Sequence, residues 1–479
     1  MQLILLYHFF YPDNVISARL FSDIAEMMAA DGVEVLAMPS VRSCHDGEAA
    51  YARREVWNGV KIHRVWRPDW RQGSNRGRVG NTIAMLAGWT WRAIWTRRSK
   101  NETVVIGTDP PLGVLVAIPW RLFRPRARIV HWCHDLYPHA AVAEGIVQPN
   151  SMLVRVLNTV LRVAYARCDV IADLGACMRD ELLKASSEQR QLEASGQRLE
   201  KQEEDPSPPA PLPRVLGRGE AKVQPLGDAC GEKAALQAKR LRPTHLTLTP
   251  WALVEPERVL ESDAVVRREL FGEAALGLLY SGNLGRAHIY QPFVELARRV
   301  AGNPIAFCFA GRGPMLEKLA ASLIEHEKRV ASGELRVNTE DVATRGSQLA
   351  SPPNIRFGGF ASEEELGKRL GAADVHMVSL APSWTGAVVP SKFFGALAVG
   401  RPVLFAGSRR SAIARWIDEF GVGWVLHDDA SVERVAEQLS EFAADPSRVK
   451  AMRERCFEVY GREFSKAVQM QKWKSVLDV

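Results

Sequence analysis

A short β-rich run followed by a helical pattern recurs along this chain, and it does so in two separate blocks. In the first block the runs are Leu3 to Tyr7, Glu34 to Ala37, Val104 to Gly107, Arg128 to Cys133 and Val170 to Leu174, with helical patterns at Ala18 to Ala30 and Met152 to Ala166. The second block starts at Leu278 to Tyr280 and continues through Ile305 to Ala310, Asn354 to Phe357, Val375 to Ser379, Pro402 to Ala406 and Gly423 to Leu426. Strands alternating with helices pair in parallel, because a crossover helix carries the chain back to the same end of the sheet. The expected fold class is therefore α/β, with two doubly wound units. A length of 479 residues agrees, since one hydrophobic core rarely serves so long a chain.

Between the blocks, about Ala185 to Arg240 is rich in Glu, Gln and Arg and then in Pro and Gly. It contains too few apolar side chains to offset the entropy of ordering, so a disordered insertion is expected over 183–242. A second polar insertion is expected between Glu327 and Ser351. Seven scattered cysteines without CxxC spacing read as reduced residues of a cytosolic protein. The apolar start Leu3 to Leu6 is too short for a signal-peptide core, and no run reaches the length of a spanning helix.

Residues 1 to 170 carry about seven more Lys and Arg than Asp and Glu, while the remainder is nearly balanced. Within that basic half, Ile83 to Trp95 includes Met85, Leu86, Trp89, Trp91 and Trp95 and runs into Arg97, Arg98 and Lys100. Indoles beside cations suit the headgroup zone of an anionic membrane surface; they equally suit a surface helix packed on its own domain. Nucleic acid is disfavoured as a partner, because no recognition-helix, zinc-finger or RNP-type pattern is present.

Parallel sheets bind ligands in the loops after their strands. The loop Ser281-Gly282-Asn283-Leu284-Gly285-Arg286-Ala287-His288 follows one strand of the second block, and its glycines allow backbone amides to approach an anion. Arg286 and His288 are placed to neutralise a diphosphate without a metal. Ala310-Gly311-Arg312-Gly313-Pro314 repeats the arrangement after the next strand, and Gly359 and Phe360 follow the one after that. In Pro390-Ser391-Lys392-Phe393-Phe394-Gly395, Ser391 is a natural N-cap, and Gly400 a natural stop before the strand entered at Arg401. A short helix aimed at a phosphate is expected, with Lys392 adding a full charge. The preceding loop, Ser383-Trp384-Thr385-Gly386, favours a site there over an ordinary turn.

These pieces, in this order, resemble the GT-B glycosyltransferases of family 4, above all the branch making bacterial exopolysaccharides of the colanic-acid type. The resemblance covers nearly everything outside the two insertions. It is carried by Phe10-Tyr-Pro-Asp with Arg19, Asp109-Pro-Pro, His134-Asp135-Leu-Tyr-Pro, Leu174-Gly-Ala-Cys-Met-Arg179, Tyr280-Ser-Gly-Asn-Leu-Gly, Ala310-Gly-Arg-Gly-Pro and Pro390-Ser-Lys through Gly400-Arg-Pro. It implies two Rossmann-like domains facing each other across a cleft. The acceptor domain is expected over 1–182, the nucleotide-sugar domain over 243–456, and a C-terminal helix over 457–479 crossing back. It also implies a retaining transfer from a nucleotide-sugar donor to a lipid-linked or saccharide acceptor, with no cofactor and no metal, in the cytoplasm or peripheral on the inner face of the plasma membrane.

The same resemblance assigns roles. Arg286 and Lys392 match the residues that stabilise the departing diphosphate; His134 matches a histidine beside the donor sugar, with Asp135 placed to orient the acceptor hydroxyl. Gly282, Asn283, Gly285, His288, Gly311, Arg312, Gly359, Phe360, Trp384, Pro390, Ser391 and Gly395 fall on donor-binding positions, and Asn14 and Arg19 on the acceptor side. Two departures are visible. Gly395 stands where many members carry a ribose-binding glutamate, with no glutamate near Ala387 either, and Asn14-Val15-Ile16 replaces the usual paired glycines of the first loop. Two other readings follow: a nucleotide-sugar epimerase, and a catalytically silent binding protein of the same fold.

Overall fold

The computed structural model describes residues 1–44, 50–71, 74–95, 99, 101–185, 243–331 and 352–478. Most of both expected insertions, and the cluster Arg97, Arg98 and Lys100, lie outside the described residues.

The first unit contains β1 (Gln2–Leu6), α1 (Ile16–Ala30), β2 (Glu34–Ala37), β3 (Arg54–Trp57), β4 (Val60–His63), α2 (Asn75–Trp95) and β5 (Glu102–Gly107). It continues with α3 (Ala117–Phe123), β6 (Arg128–Trp132), α4 (His139–Ala143), α5 (Met152–Tyr165), β7 (Val170–Asp173), α6 (Ala176–Ala185) and β8 (Thr244–Thr247). The strand order is β3-β4-β2-β1-β5-β6-β7-β8, parallel throughout except for the β3–β4 hairpin. All six residues of β5 are buried, as expected for a central strand covered on both faces. Its one carboxylate, Glu102, is compensated by Arg124 and by the Trp120 indole N–H, which donates at 2.9 Å.

The second unit contains α7 (Ala264–Phe271), β9 (Leu276–Asn283), α8 (Gln291–Arg299), β10 (Ile305–Arg312), α9 (Pro314–Ala331), β11 (Ile355–Gly358), α10 (Glu363–Ala372) and β12 (Val375–Ser379). Next come α11 (Lys392–Ala398), β13 (Val403–Ala406), α12 (Ala412–Phe420), β14 (Gly423–Leu426), α13 (Asp429–Ala444), α14 (Pro446–Val459) and α15 (Lys466–Leu477). Six parallel strands run in the order β11-β10-β9-β12-β13-β14. Arg401 is wholly buried beneath this sheet, where its guanidinium donates to the carbonyls of Leu260, Gly371, Ala373, Val399 and Gly400. It ties three segments, around 260, 371–373 and 399–400, together through their main-chain acceptors.

Two expectations change. β8 pairs in register with β7, so residues assigned to the second domain from 243 complete the first sheet instead. Trp89 and Met85 face inward with no exposure, the Trp89 indole donating to the Met38 carbonyl at 2.8 Å, so of the three tryptophans only Trp91 and Trp95 reach solvent. A helix lying on a sheet must bury one stripe, and the tryptophans fall on both sides of it.

The chain crosses between units twice, and the crossings touch. Outbound, the Trp251 indole donates to Asp23 at 2.8 Å, and the Ala252 N–H donates to the Tyr460 hydroxyl at 2.9 Å. On the return, Trp473 packs edge-on to Trp132 at 4.9 Å, while Lys466 and Lys474 pair with Asp23 and Asp31. α15 thus fills a hole in the first unit's core.

Candidate active site

The strand ends of the two sheets face each other across a cleft of about 870 Å³, the size of a small-molecule site. Its first wall is built where β6 ends. The hydroxyl oxygen of Thr108 accepts the N–H groups of both His134 and Asp135, at 3.1 and 3.3 Å, which fixes that turn. His134 sits against the edge of Trp132 at 4.2 Å and beside Tyr7 and Phe21. Desolvation in this aromatic box, with His131 a smaller cause, lowers its pKa to about 3, so the imidazole is neutral. Its Nε2 is buried without a hydrogen-bond partner among the described residues. Asp135 is pushed up to about 6, first by desolvation and then by repulsion from Asp109.

The second wall is the end of β9 and the start of α11. The Lys392 ammonium donates to the Asn283 carbonyl at 3.1 Å and lies 5.3 Å from the centre of the Tyr280 ring. Burial lowers its pKa to about 8. Gly282 has φ of +108°, and a Cβ there would approach the Lys392 stem at 3.4 Å. Gly311 meets it from β10: a Cβ at Gly311 would overlap the Gly282 carbonyl at 1.8 Å, so the two glycine segments are paired strand ends packed main chain to main chain. Arg312 lies over the Phe360 ring at 4.6 Å.

Of the residues expected from sequence, Asn14, Arg19, His134, Asp135, Gly282, Asn283, Arg312, Phe360, Ser391, Lys392 and Gly395 line this cleft together. The others do not. Arg286 lies on the rim, paired with Glu144 of the first unit at 3.0 Å. His288 donates its Nδ1–H to the Ser379 carbonyl at 2.6 Å, and its pKa is lowered to about 4 by burial, with Lys392 a lesser cause; it carries no charge for a diphosphate. Gly285, Gly311, Gly359, Trp384 and Pro390 are not among the cleft's lining residues. Ser391 makes no side-chain cap: its backbone is already helical, because Pro390 and Ser391 carbonyls accept from Phe393 and Phe394.

The first wall is joined to the second by main-chain pairing. Asp135 forms an antiparallel bridge with Val388, and the Leu136 N–H donates to the Ala387 carbonyl at 2.8 Å. Arg19 forms an ion pair with Glu363 across the cleft. Glu363 was not anticipated as a lining residue. The signal available was Ser362-Glu363-Glu364-Glu365, a capping box that opens α10 after a strand and is present in the structure. Residues 250–254 of the outbound crossing also line the cleft, as do Leu366, Leu370 and Met377. Among the described residues no three His, Cys, Asp or Glu side chains gather into a metal-ligating group.

No family model matches the chain. It is 21% identical over 348 residues, 72% of this chain and 68% of the relative, to the probable glycosyltransferase WbjE of Pseudomonas aeruginosa. Among solved structures it aligns with a sucrose-phosphate synthase from Thermosynechococcus elongatus at 12% identity and a TM-score of 0.58, covering 99% of this chain and 97% of that one. WaaG, a glycosyltransferase involved in lipopolysaccharide biosynthesis, aligns at 13% identity and a TM-score of 0.52 over 99% of both chains. HepE of Anabaena, in complex with UDP and glucose, aligns at 12% identity and a TM-score of 0.52 over 100% of this chain and 99% of that one. Two parallel sheets of eight and six strands, with a cleft between their carboxyl ends and a last helix returned to the first, give this chain the fold of the GT-B glycosyltransferases.

Proposed function

We propose that this chain is a glycosyltransferase taking a nucleotide-sugar donor, and that it retains the anomeric configuration without a metal. The observation that carries the proposal is the pairing of chemistries across one cleft: a desolvated ammonium beside a glycine strand end on one wall, and a neutral histidine next to a carboxyl group on the other. Departure of a nucleoside diphosphate develops negative charge, and Lys392 is the cation placed to meet it. The unpartnered Nε2 of His134, which lines the same cleft, supports the reading as a hydrogen-bonding atom available to a donor sugar. Asp135 orients the incoming hydroxyl. HepE has been solved with UDP-glucose, which supports a nucleoside diphosphate sugar as the ligand. The acceptor is a lipid-linked or soluble saccharide of cell-surface polysaccharide synthesis, used at the cytoplasmic side.

The test is donor-dependent release of free nucleoside diphosphate, with and without acceptor. Acceptor-stimulated release is the expected result. Interconversion of two nucleotide sugars without release would instead identify an epimerase, and tight donor binding with neither reaction would identify a silent binding protein.

A further inference from the structure

From β4 the chain passes over β2 and β1 to β5 and then goes to the neighbouring β6 and β7, always in one direction, and right-handed crossovers put α2, α3 and α5 on the same face of the first sheet. α2 packs on α3, and α3 on α5. Helices in such a layer bury the stripe toward the sheet and present the other to solvent. In α5 the inward stripe is Val154, Leu161, Ala164 and Tyr165. Its outward stripe is apolar as well: Met152 is 82% exposed, and Leu153, Val156, Val160 and Val163 stand out beside it. At 3.6 residues per turn these five fall within an arc of about 100°, one unbroken strip. α3 adds Leu122, 71% exposed, and α2 adds Trp91 and Trp95, whose rings lie 5.4 Å apart.

The charge on this layer has one sign. Residues 75–95, 117–127 and 151–168 contain nine arginines and no aspartate or glutamate. Arg124 and Arg121 are held by Glu102 and Asp169, but Arg76, Arg126, Arg155 and Arg167 are exposed. The second unit's outer helices are different, with Glu433 and Glu441 meeting Arg299 and Arg448 in ordinary solvated pairs.

We propose that this layer, centred on α5, docks on an anionic lipid bilayer, with α5 lying in the headgroup plane. A strip of aliphatic side chains whose only flanking charges are arginines, with an indole pair at one side, matches a surface that is apolar beneath and negative above. No helix of the described residues is long and apolar enough to cross a membrane, so attachment is by surface contact. Helices in parallel βα units run back against their strands, which puts the start of α5 at the cleft end of the sheet. Glu144, shortly before α5, meets Arg286 at that rim. Docking therefore brings the cleft mouth beside the bilayer, and the acceptor class that fits is an amphiphile whose saccharide or phosphate head is reached from its own membrane. That last step rests on the proposed sugar transfer; the docking does not.

The test is cosedimentation of the full chain with vesicles of phosphatidylcholine, alone or with a third of phosphatidylglycerol. Wild type should bind the anionic vesicles and be released by salt. Val156→Glu combined with Val160→Glu should weaken binding by about tenfold or more, and Arg155→Glu combined with Arg167→Glu should do likewise, both with unchanged melting curves because these side chains are exposed. Wild-type binding by the α5 variant would overturn the proposal, as would equal binding to neutral vesicles. So would lipid-free self-association that the same variant abolishes, which would make this face a contact between copies of the chain. Turnover of a water-soluble acceptor separates the two readings: its absence with vesicle binding intact removes sugar transfer and leaves docking in place.

Discussion

The two walls of the cleft solve the same problem, holding titratable groups out of water, in opposite ways. The first wall puts its titratable side chains inside an aromatic box: Tyr7, Phe21 and Trp132 surround His134, and desolvation keeps the imidazole neutral and drives the Asp135 carboxyl up to about 6. The second wall is mostly main chain, and spends its single deep charge, Lys392, against a carbonyl and a tyrosine face. One wall adjusts proton affinity, and the other presents a positive charge. The first can therefore respond to pH and the second to the arrival of an anion.

The largest effect expected is on the second wall. Lys392→Ala should lower kcat by two to three powers of ten, about 3 to 4 kcal/mol, with a smaller change in donor KM, because the contact strengthens as the leaving charge grows. Lys392→Arg should recover part of the loss. Steady-state kinetics with saturating donor checks this, and a wild-type kcat for the alanine variant would erase the distinction between the walls.

On the first wall, Asp135→Asn should abolish acceptor-dependent transfer yet stabilise the fold at pH 7 by about 3 kcal/mol. Its folded pKa lies above the ordinary carboxylate value, so ionisation opposes folding above about pH 6, and the opposition disappears below the unfolded value. Chemical denaturation at pH 7 and pH 4 tests the sign: the gain should be present at the first and absent at the second. In the free enzyme, kcat/KM should fall as pH drops through about 6, where Asp135 protonates, and as it rises through about 8, where Lys392 loses its charge. The acidic limb belongs to one wall and the basic limb to the other, so Lys392→Arg should move only the latter.

The smallest effect belongs to the rim. Arg286 is exposed and already paired with Glu144, so Arg286→Ala should cost only about 1 kcal/mol of transition-state binding, well short of Lys392→Ala. Glu144→Gln releases the guanidinium and should tighten nucleoside diphosphate binding a few-fold by calorimetry. Equal losses for Arg286 and Lys392 would show that the rim arginine swings into the cleft during turnover.

That split was not legible in the sequence. Arg286 and Lys392 look alike there, each a cation next to glycine or at a helix start, and only the fold brings Glu144 to one of them from 142 positions away. His288 misled for the same reason, since the Ser379 carbonyl that takes its Nδ1 comes from another strand. What the sequence did carry was periodicity. Buried parallel strands are nearly continuous apolar runs, and those of both sheets stand out on that ground. The hairpin β3–β4 was missed although Asn58-Gly59, both at positive φ, is the turn signal for it; its strands are too short and too polar to register as runs. β8 was misassigned because it follows the long interruption and so reads as the start of something new, whereas its partner β7 precedes the interruption.

The return of α15 to the first unit bears on the order in which the chain becomes structured during synthesis. The pocket around Trp132 is closed by Trp473, which leaves the ribosome after the whole second sheet. At about 5 to 20 residues per second, the span from β8 to α15 takes on the order of tens of seconds. Throughout that interval the first sheet carries an open apolar socket, while the second can already close around its own core. The unit made first is then the last to be finished, and nascent chains that stall shortly before Trp473 are the ones most exposed to chaperones and proteases.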